Sequence, residues 1–503
     1  MKNNLLYSFT ILLAVIAVLL GMEYLPTLKI GDHTLRKVNI LADVCSLEEE
    51  SSRSEVALED LLVKEDENNQ LVEVKDSLEK VDSVSLQGFE GQSVEQDIEF
   101  TKEKEREKKS LPPIVESDCE EGITCIKDYS DSTYRGIHPF YEAIKRYQEK
   151  QGHIRIAVFG DSFIEADILT SDLRNLLQRK FGGKGVGFVP ITSHVTGFRP
   201  TVKHQFQGWE THAVTDTANF VQGNQGISSQ YFLPKDSLSQ IELTAKRYFS
   251  TLESCDQSTI FFYSPYKKIS ISALINGEEE RHFEIEPKES LQSREVSGSI
   301  KKVRWQVVEG DSSLFYGVAM DGANGVILDN FSTRGSSGLT LASLPLGKML
   351  EFNKKRPYDL IVLQYGLNVA TEQGTDYGYY RKGMVRTINY LKKCFPNAGF
   401  LLLSVGDRDF KNENGEVKTM PGVKNLVAYQ EAIAIDTRIA FWNMFEGMGG
   451  EESMAGFVTE DPPLANYDYT HINFRGGRRI ANELFEALMV GFEHYQKEDR
   501  YVE

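Results

Sequence analysis

The sequence predicts an α/β protein whose parallel sheet is sandwiched by helices and interrupted by an inserted β-sandwich-like domain. Three observations predict it. Apolar runs suited to buried strands alternate with helix-spaced segments from about Ile114 to Ser193 and again from Gly325 onward. Between them, from about Gly197 to Val318, helical periodicity gives way to two-residue alternation. Ahead of both lies a long apolar run followed by an acidic, low-hydrophobicity tract.

The elements follow in order. Leu5 to Met22 is 18 residues without a charge, long enough for a short membrane helix. It reads as an uncleaved signal anchor over 1–24, with a cleaved signal as the alternative, since no Ala-x-Ala site follows. Residues 25–112 form a juxtamembrane piece and a flexible stalk. Between Ser46 and Ser110 lie 20 acids against 9 bases, so this tract holds −11 of the chain's net −18. It has too little apolar surface to offset its chain entropy. Pro112 and Pro113 mark the start of folded material.

Residues 113–196 read as the first part of the α/β domain. "FYEAIKRYQEK" is a helix and "HIRIAVFG" a buried strand. "ADILTSDLRNLLQRKFGG" is a helix ending at Gly182. Residues 197–319 read as the insert. "SQIELTA", "STIFFYS", "KKISISALING" and "VRWQVVEG" are its strands, and Asn276-Gly277 is a hairpin signal. Residues 320–503 read as the second α/β part. "MDGANG" lacks the acids and length of a calcium loop and reads as a junction turn. "GVILDNF", "DLIVLQYG", "AGFLLLSVG" and "IAFWNMF" are strands. "LTLASLPLGKMLEFNKK", Tyr380–Cys394, "NLVAYQEAIAID" and "GGRRIANELFEALMVGFEHYQ" are helices.

Bulk properties exclude some functions. The 503 residues are 41% hydrophobic and 11% aromatic, enough for real cores. The acidic balance and the lack of a dense Lys/Arg cluster argue against nucleic-acid binding. The five cysteines have no zinc spacing. Cys119 and Cys125 are close enough to bridge in an exported protein, or to stay reduced in a loop.

In open α/β sheets, ligands lie beyond the carboxyl ends of strands. The residues there are Gly160-Asp161-Ser162, then Gly335 and Gly338, then Gly366 to Asn368, and finally Asp468 and His471. Ser162 is a weak nucleophile unless a base takes its proton. Among nine histidines, His471 alone lies in a rim loop with an acid three residues before it. Asp468 then fixes the ring's tautomer. The backbone N–H groups of Ser162 and Gly335 and the Asn368 amide are the candidate oxyanion donors. This chemistry calls for no cofactor or metal.

These four blocks, in this order, resemble the SGNH (GDSL-type) hydrolases. The resemblance implies a flavodoxin-like sheet with Ser162 as nucleophile, His471 as base and Asp468 as its orienting acid. Ser162, Gly335 and Asn368 would form the oxyanion hole. Family members often carry Asn-Gly in the second block, where this chain has Ser337-Gly338. The oxyanion glycine is therefore open between Gly335, which is favoured, and Gly338. Interruption by a β domain resembles the membrane-anchored bacterial peptidoglycan O-acetylesterases and O-acetyltransferases, in which the insert is similar to a carbohydrate-binding module.

The expected function is therefore a serine esterase removing O-acyl, foremost O-acetyl, groups from an envelope glycan such as peptidoglycan. It would act in the periplasm from an inner-membrane anchor, with a membrane acyltransferase as a possible partner. An O-acetyltransferase using the same triad and a non-catalytic glycan-binding protein are the alternatives. Substrate-contact candidates are Arg334, for an anionic group or else a surface salt bridge, and Trp209, which sits in a polar stretch. Trp305 alternates with Val303 and Val307 and reads as core.

Overall fold

A six-stranded sheet positions everything that matters chemically. In the computed structural model the described residues are Lys29–Ile30, His33–Thr34, Cys119 and 122–499, apart from 132–135, 217–218, 311–312 and 413. The anchor expected over 1–24 and nearly all of the stalk lie outside them. Lys29–Ile30 and His33–Thr34 pair as a short hairpin. Among the described residues no helix is long and apolar enough to cross a membrane.

Strand β1 (Ile126–Asp128) is followed by helix α1 (His138–Lys150) and strand β2 (His153–Gly160), after which Ser162–Asp167 forms a kinked 3-10 turn and Thr170–Phe181 helix α2. After the β insert come β14 (Gly325–Ser332), α3 (Leu346–Lys355), β15 (Leu360–Gln364), α4 (Gly378–Cys394) and β16 (Gly399–Leu403). A small hairpin, β17 (Asp409–Lys411) with β18 (Val417–Thr419), precedes α5 (Pro421–Thr437) and β19 (Ala440–Trp442). Short helices α6 (Met444–Gly447) and α7 (Ser453–Thr459) lead to α8 (Phe474–Asp499).

The sheet order is β14-β2-β15-β16-β19-β1. The first five strands are parallel and β1 closes the edge antiparallel to β19. Counting only the parallel strands in chain order, this is 2-1-3-4-5, the flavodoxin-like order. β15 and β16 are buried at every residue, as helices on both faces require. The predicted helix around Leu339–Lys355 is broken. Pro345 cannot donate within a helix, so Leu339–Ser343 is a 3-10 turn and Pro345 becomes the cap of α3.

The insert is two antiparallel sheets. One has the order β10-β9-β12-β7-β4: Glu279–Ile285, Ile269–Ile275, Lys302–Glu309, Gln240–Ala245 and Val202–Gln207. The other has the order β11-β8-β13-β6-β5: Gln292–Ile300, Cys255–Tyr263, Leu314–Asp321, Gln230–Pro234 and Trp209–Ala213. β3 (Gly187–Pro190) adds to this second sheet along β13, ten residues ahead of the position where alternation begins in the sequence. Asn276 (φ 54°) and Gly277 (φ 83°) form the β9–β10 turn. Trp305 is 1% exposed in the shared core, and its indole donates to Ser258 Oγ at 3.0 Å.

Trp209 does not offer a surface to sugars. It is 8% exposed, edge-on to Phe315 at 5.1 Å, and its indole donates to the Gln240 carbonyl at 2.9 Å. The polar neighbours that suggested exposure belong to the outward face of a strand whose alternate residues point in. Cys119 and Cys125 form a disulfide.

Two buried ionic clusters bind the insert to the sheet. Arg356 spans Asp321 at the end of β13 and Asp329 on β14, while Asp329 also accepts from Tyr358 and from the Phe188 amide of β3. Asp167 accepts from Arg174 of α2 and from Arg199 and Thr201 at the start of the insert.

Candidate active site

Ser162 leaves the carboxyl end of β2, the strand at which the sheet order reverses. The Gly335 loop follows the neighbour on one side and Gly366–Asn368 the neighbour on the other. Asp161 caps the 3-10 turn by accepting the Phe163 amide at 2.9 Å. The backbone that presents the serine is thus fixed by its own neighbour in sequence.

His471 is brought over by the loop before α8. Asp468 Oδ1 accepts the amides of Thr470 and His471 at 2.9 and 3.0 Å, curling the loop on itself. Asp409 donates its amide to the Tyr469 carbonyl at 3.0 Å, tying the loop to β17 of the small hairpin. Asn473 accepts the Arg475 amide at 2.8 Å and starts α8. Gly476 and Gly477 let α8 come close, since a Cβ at Gly477 would lie 2.1 Å from the Ile168 carbonyl and one at Gly476 2.3 Å from that of Leu464.

The result is a linear set. Ser162 Oγ lies 3.4 Å from His471 Nε2, and His471 Nδ1 lies 2.8 Å from Asp468 Oδ2. The His471 and Asp468 side chains remain close to half exposed, so the site is open to a large substrate. Burial raises the Asp468 carboxyl, but the hydrogen bonds from the His471 ring and the two loop amides outweigh it. Its pKa falls below the ordinary carboxylate value. An ionised Asp468 accepting from Nδ1 leaves Nε2 free to accept from the serine.

The donor side of the site separates the two glycines. Gly338 already donates its amide to Ser336 Oγ at 3.1 Å, and a Cβ there would lie 2.8 Å from the Tyr365 ring. Gly335 has φ +76° and open space around it, and its amide makes no hydrogen bond among the described residues. The Ser162 amide is likewise unpaired there. Asn368 sits between Asp161 Oδ2 at 3.4 Å and the Ser336 carbonyl at 3.1 Å. Both amide hydrogens are thus in use, and one must be released before this group serves an oxyanion.

Arg334 is held by Glu165 at 2.6 Å, an exposed pair joining the serine turn to the Gly335 loop. Two residues have roles absent from the sequence reading, which places Asp161 at the rim without a task and does not name Arg408. Asp161 is fully buried, and burial, only partly offset by the amides of Phe163, Leu367 and Gly366, pushes its carboxyl up to about 7. The signal was present, because a turn acid next to a serine is an N-cap with an acceptor to spare. Arg408 reaches the Leu367 carbonyl at 3.5 Å and lies in the field of Asp468. Nothing in its local sequence marks it. No group of three or more His, Cys, Asp or Glu residues able to hold a metal occurs among the described residues.

No protein-family model matches the chain, and no curated protein does. Among solved structures, a peptidoglycan O-acetylesterase superposes with TM-score 0.60 and 19% identity over 73% of this chain and 99% of that one. A family two carbohydrate esterase from Cellvibrio japonicus gives TM-score 0.24 at 10% identity over 61% and 98%. A putative GDSL-like lipase from Parabacteroides merdae gives 0.26 at 15% identity over 33% and 74%. In fold, this chain is similar to the peptidoglycan O-acetylesterase across nearly the whole of that protein.

Proposed function

We propose that the protein is a serine esterase that removes O-acyl groups, foremost acetyl, from an envelope glycan such as peptidoglycan. One observation carries the reading. Ser162, His471 and Asp468 stand in hydrogen-bond sequence at 3.4 and 2.8 Å where the sheet order reverses. The fold likeness to a peptidoglycan O-acetylesterase supports the choice of substrate.

In this reading Ser162 Oγ attacks the ester carbonyl while His471 Nε2 takes its proton. The amides of Ser162 and Gly335 meet the oxyanion, and Asn368 joins them by giving up the Ser336 carbonyl. His471 returns the proton to the departing sugar hydroxyl, leaving an acyl-serine. His471 then activates a water, acetate leaves, and the serine is restored. Asp468 stays ionised throughout and stabilises the imidazolium. With residues 1–24 as an uncleaved anchor, this cycle would run on the periplasmic side of the inner membrane.

The test is acetate release from O-acetylated peptidoglycan by the full chain and by Ser162→Ala, with fluorophosphonate labelling of both. Release and labelling that both vanish in the variant are expected, with kcat down by about three orders of magnitude or more. Labelling without release points to a sugar acceptor in place of water. Absence of both ends the enzymatic reading.

A further inference from the structure

A second cleft, of about 510 Å³, lies between the β-sandwich and the start of α3. Its size is within the roughly 300–1,000 Å³ of small-ligand sites. The triad does not contribute to it. Tyr263, Tyr266 and Glu289 line it from the sandwich, and Gly347, Lys348 and Glu351 from α3.

Its chemistry is mixed in a specific way. Tyr266 is 81% exposed, a large ring left in water at the cleft's rim. Two carboxylates offer acceptors, Glu289 and the Oε1 of Glu351, whose Oε2 already takes the Leu291 amide at 2.7 Å. The first turn of α3 offers donors, because Pro345 provides no side-chain cap and the amides of Gly347 and Lys348 have no partner among the described residues. Lys348 is already committed. Its amine donates to the carbonyls of Gly223 and Asn224 at 3.1 Å and lies 5.2 Å from the ring centres of Tyr263 and Tyr316. Burial pushes that amine down to about 8. It braces the junction and leaves the two acids to set the cleft's sign, which disfavours anions.

Aromatic rings beside paired acceptors and donors suit a molecule with an apolar C–H face and a rim of hydroxyls. Topology puts the α3 side of the cleft on the same edge of the sheet as Ser162. β14 runs parallel to β2, so the chain leaves it at the edge where Ser162 lies, passes Gly335, and enters α3. The first turn of α3 is therefore at the catalytic edge.

We propose that this cleft is a glycan subsite that takes neutral pyranose rings. Tyr266 stacks on a ring face, while Glu289, Glu351 and the α3 amides bind its hydroxyls. The proposal rests on the esterase reading for the choice of a glycan.

The test keeps the two apart by using the full chain with Ser162→Ala as its background. Binding of N-acetylated chitotetraose and of cellotetraose is measured by calorimetry and saturation-transfer NMR. At least one is expected to bind, and Tyr266→Ala to weaken it about tenfold. Tyr266→Phe keeps the ring and should bind as the parent does. Gly347→Leu should block the cleft without harming the fold, since a Cβ there meets nothing within 4 Å and leucine favours a helix. Unaltered affinity in Tyr266→Ala and Gly347→Leu, or no binding of either sugar, overturns the subsite. Acetate release by the parent chain without sugar binding would sink the subsite and leave the esterase standing. Sugar binding lost in the variants, from a chain that releases no acetate, would support the subsite and remove the esterase alone.

Discussion

Asp161 shows how one side chain ties presentation of Ser162 to the donor side of the site. Its two oxygens accept from Phe163 and Asn368, so both are spoken for by N–H donors. An asparagine would keep the shape but turn an NH2 against one of them. Asp161→Asn should therefore cost about 1–3 kcal/mol of stability. It should also lower kcat on a small acetate ester about tenfold or more, with KM little changed, because Asn368 loses its rest position. Urea melts and steady-state kinetics check this, and an unaltered kcat would detach Asp161 from the donor set. The grouping of Ser162, His471 and Asp468 was legible in the sequence because three short blocks follow strands β2, β14 and β15 and the fourth precedes the last helix. The state of Asn368 was not. Its occupation by Ser336 depends on how two loops from different strands meet, and no local pattern records that.

Among the elements, α8 packs on α2, which follows the serine turn, and this approach bears on the 3.4 Å gap between Ser162 and His471. Gly477 has no room for a side chain against the residue that ends the turn, since a Cβ there would lie 2.1 Å from the Ile168 carbonyl. Gly477→Ala should push α8 back, lengthen the Ser162–His471 contact and reduce kcat by about tenfold or more. Gly456→Ala, in α7 with nothing within 4 Å of the added carbon, should leave kcat unchanged and stabilise slightly. Equal kinetics in the two variants would refute the packing argument. The clasp beneath the turn is Asp167, fully buried between Arg174 and Arg199. Asp167→Ala leaves two buried guanidinium groups unpaired and should cost about 3–5 kcal/mol by denaturant melts. Helix and strand types were readable from periodicity. The inward turn of Trp209 was not, because it depends on which neighbouring strand covers the residue, whereas the break at Pro345 had a local signal, the missing N–H, that the helical spacing around it masked.

For the molecule as a whole, the acids with shifted pKa divide into two groups of opposite sign. Asp161 and Asp409 are pushed up to about 7 by burial, with the like charge of Asp407 adding to Asp409. Their stabilising share is full below the ordinary value of 3.8 and is lost as pH rises through 7. For Asp167, Asp329 and Asp468, burial also raises the carboxyl, but cationic and hydrogen-bonding partners outweigh it and the pKa falls. Their share is present above the ordinary value and is lost as pH falls through the depressed one. The melting temperature should therefore peak at about pH 4 and drop by several degrees by about pH 8. Differential scanning across that range checks it, and a Tm that rises steadily to pH 8 would contradict the assignment. Asp161→Asn should flatten the alkaline side.

The ionic clusters at the insert's two ends have a further consequence for how such a chain can be rebuilt. Arg199 and Asp321 belong to the inserted stretch, yet their partners Asp167 and Arg356 belong to the sheet and its helices. Cutting out 187–321 and splicing the ends would retain every triad residue. It would also take Arg199 from Asp167, the Phe188 donor from Asp329 and one of two carboxylates from Arg356. The sandwich is thus no detachable cargo. A minimal catalytic core, whether made by an engineer or by gene loss, would need compensating changes at Asp167, Asp329 and Arg356 before it stood alone.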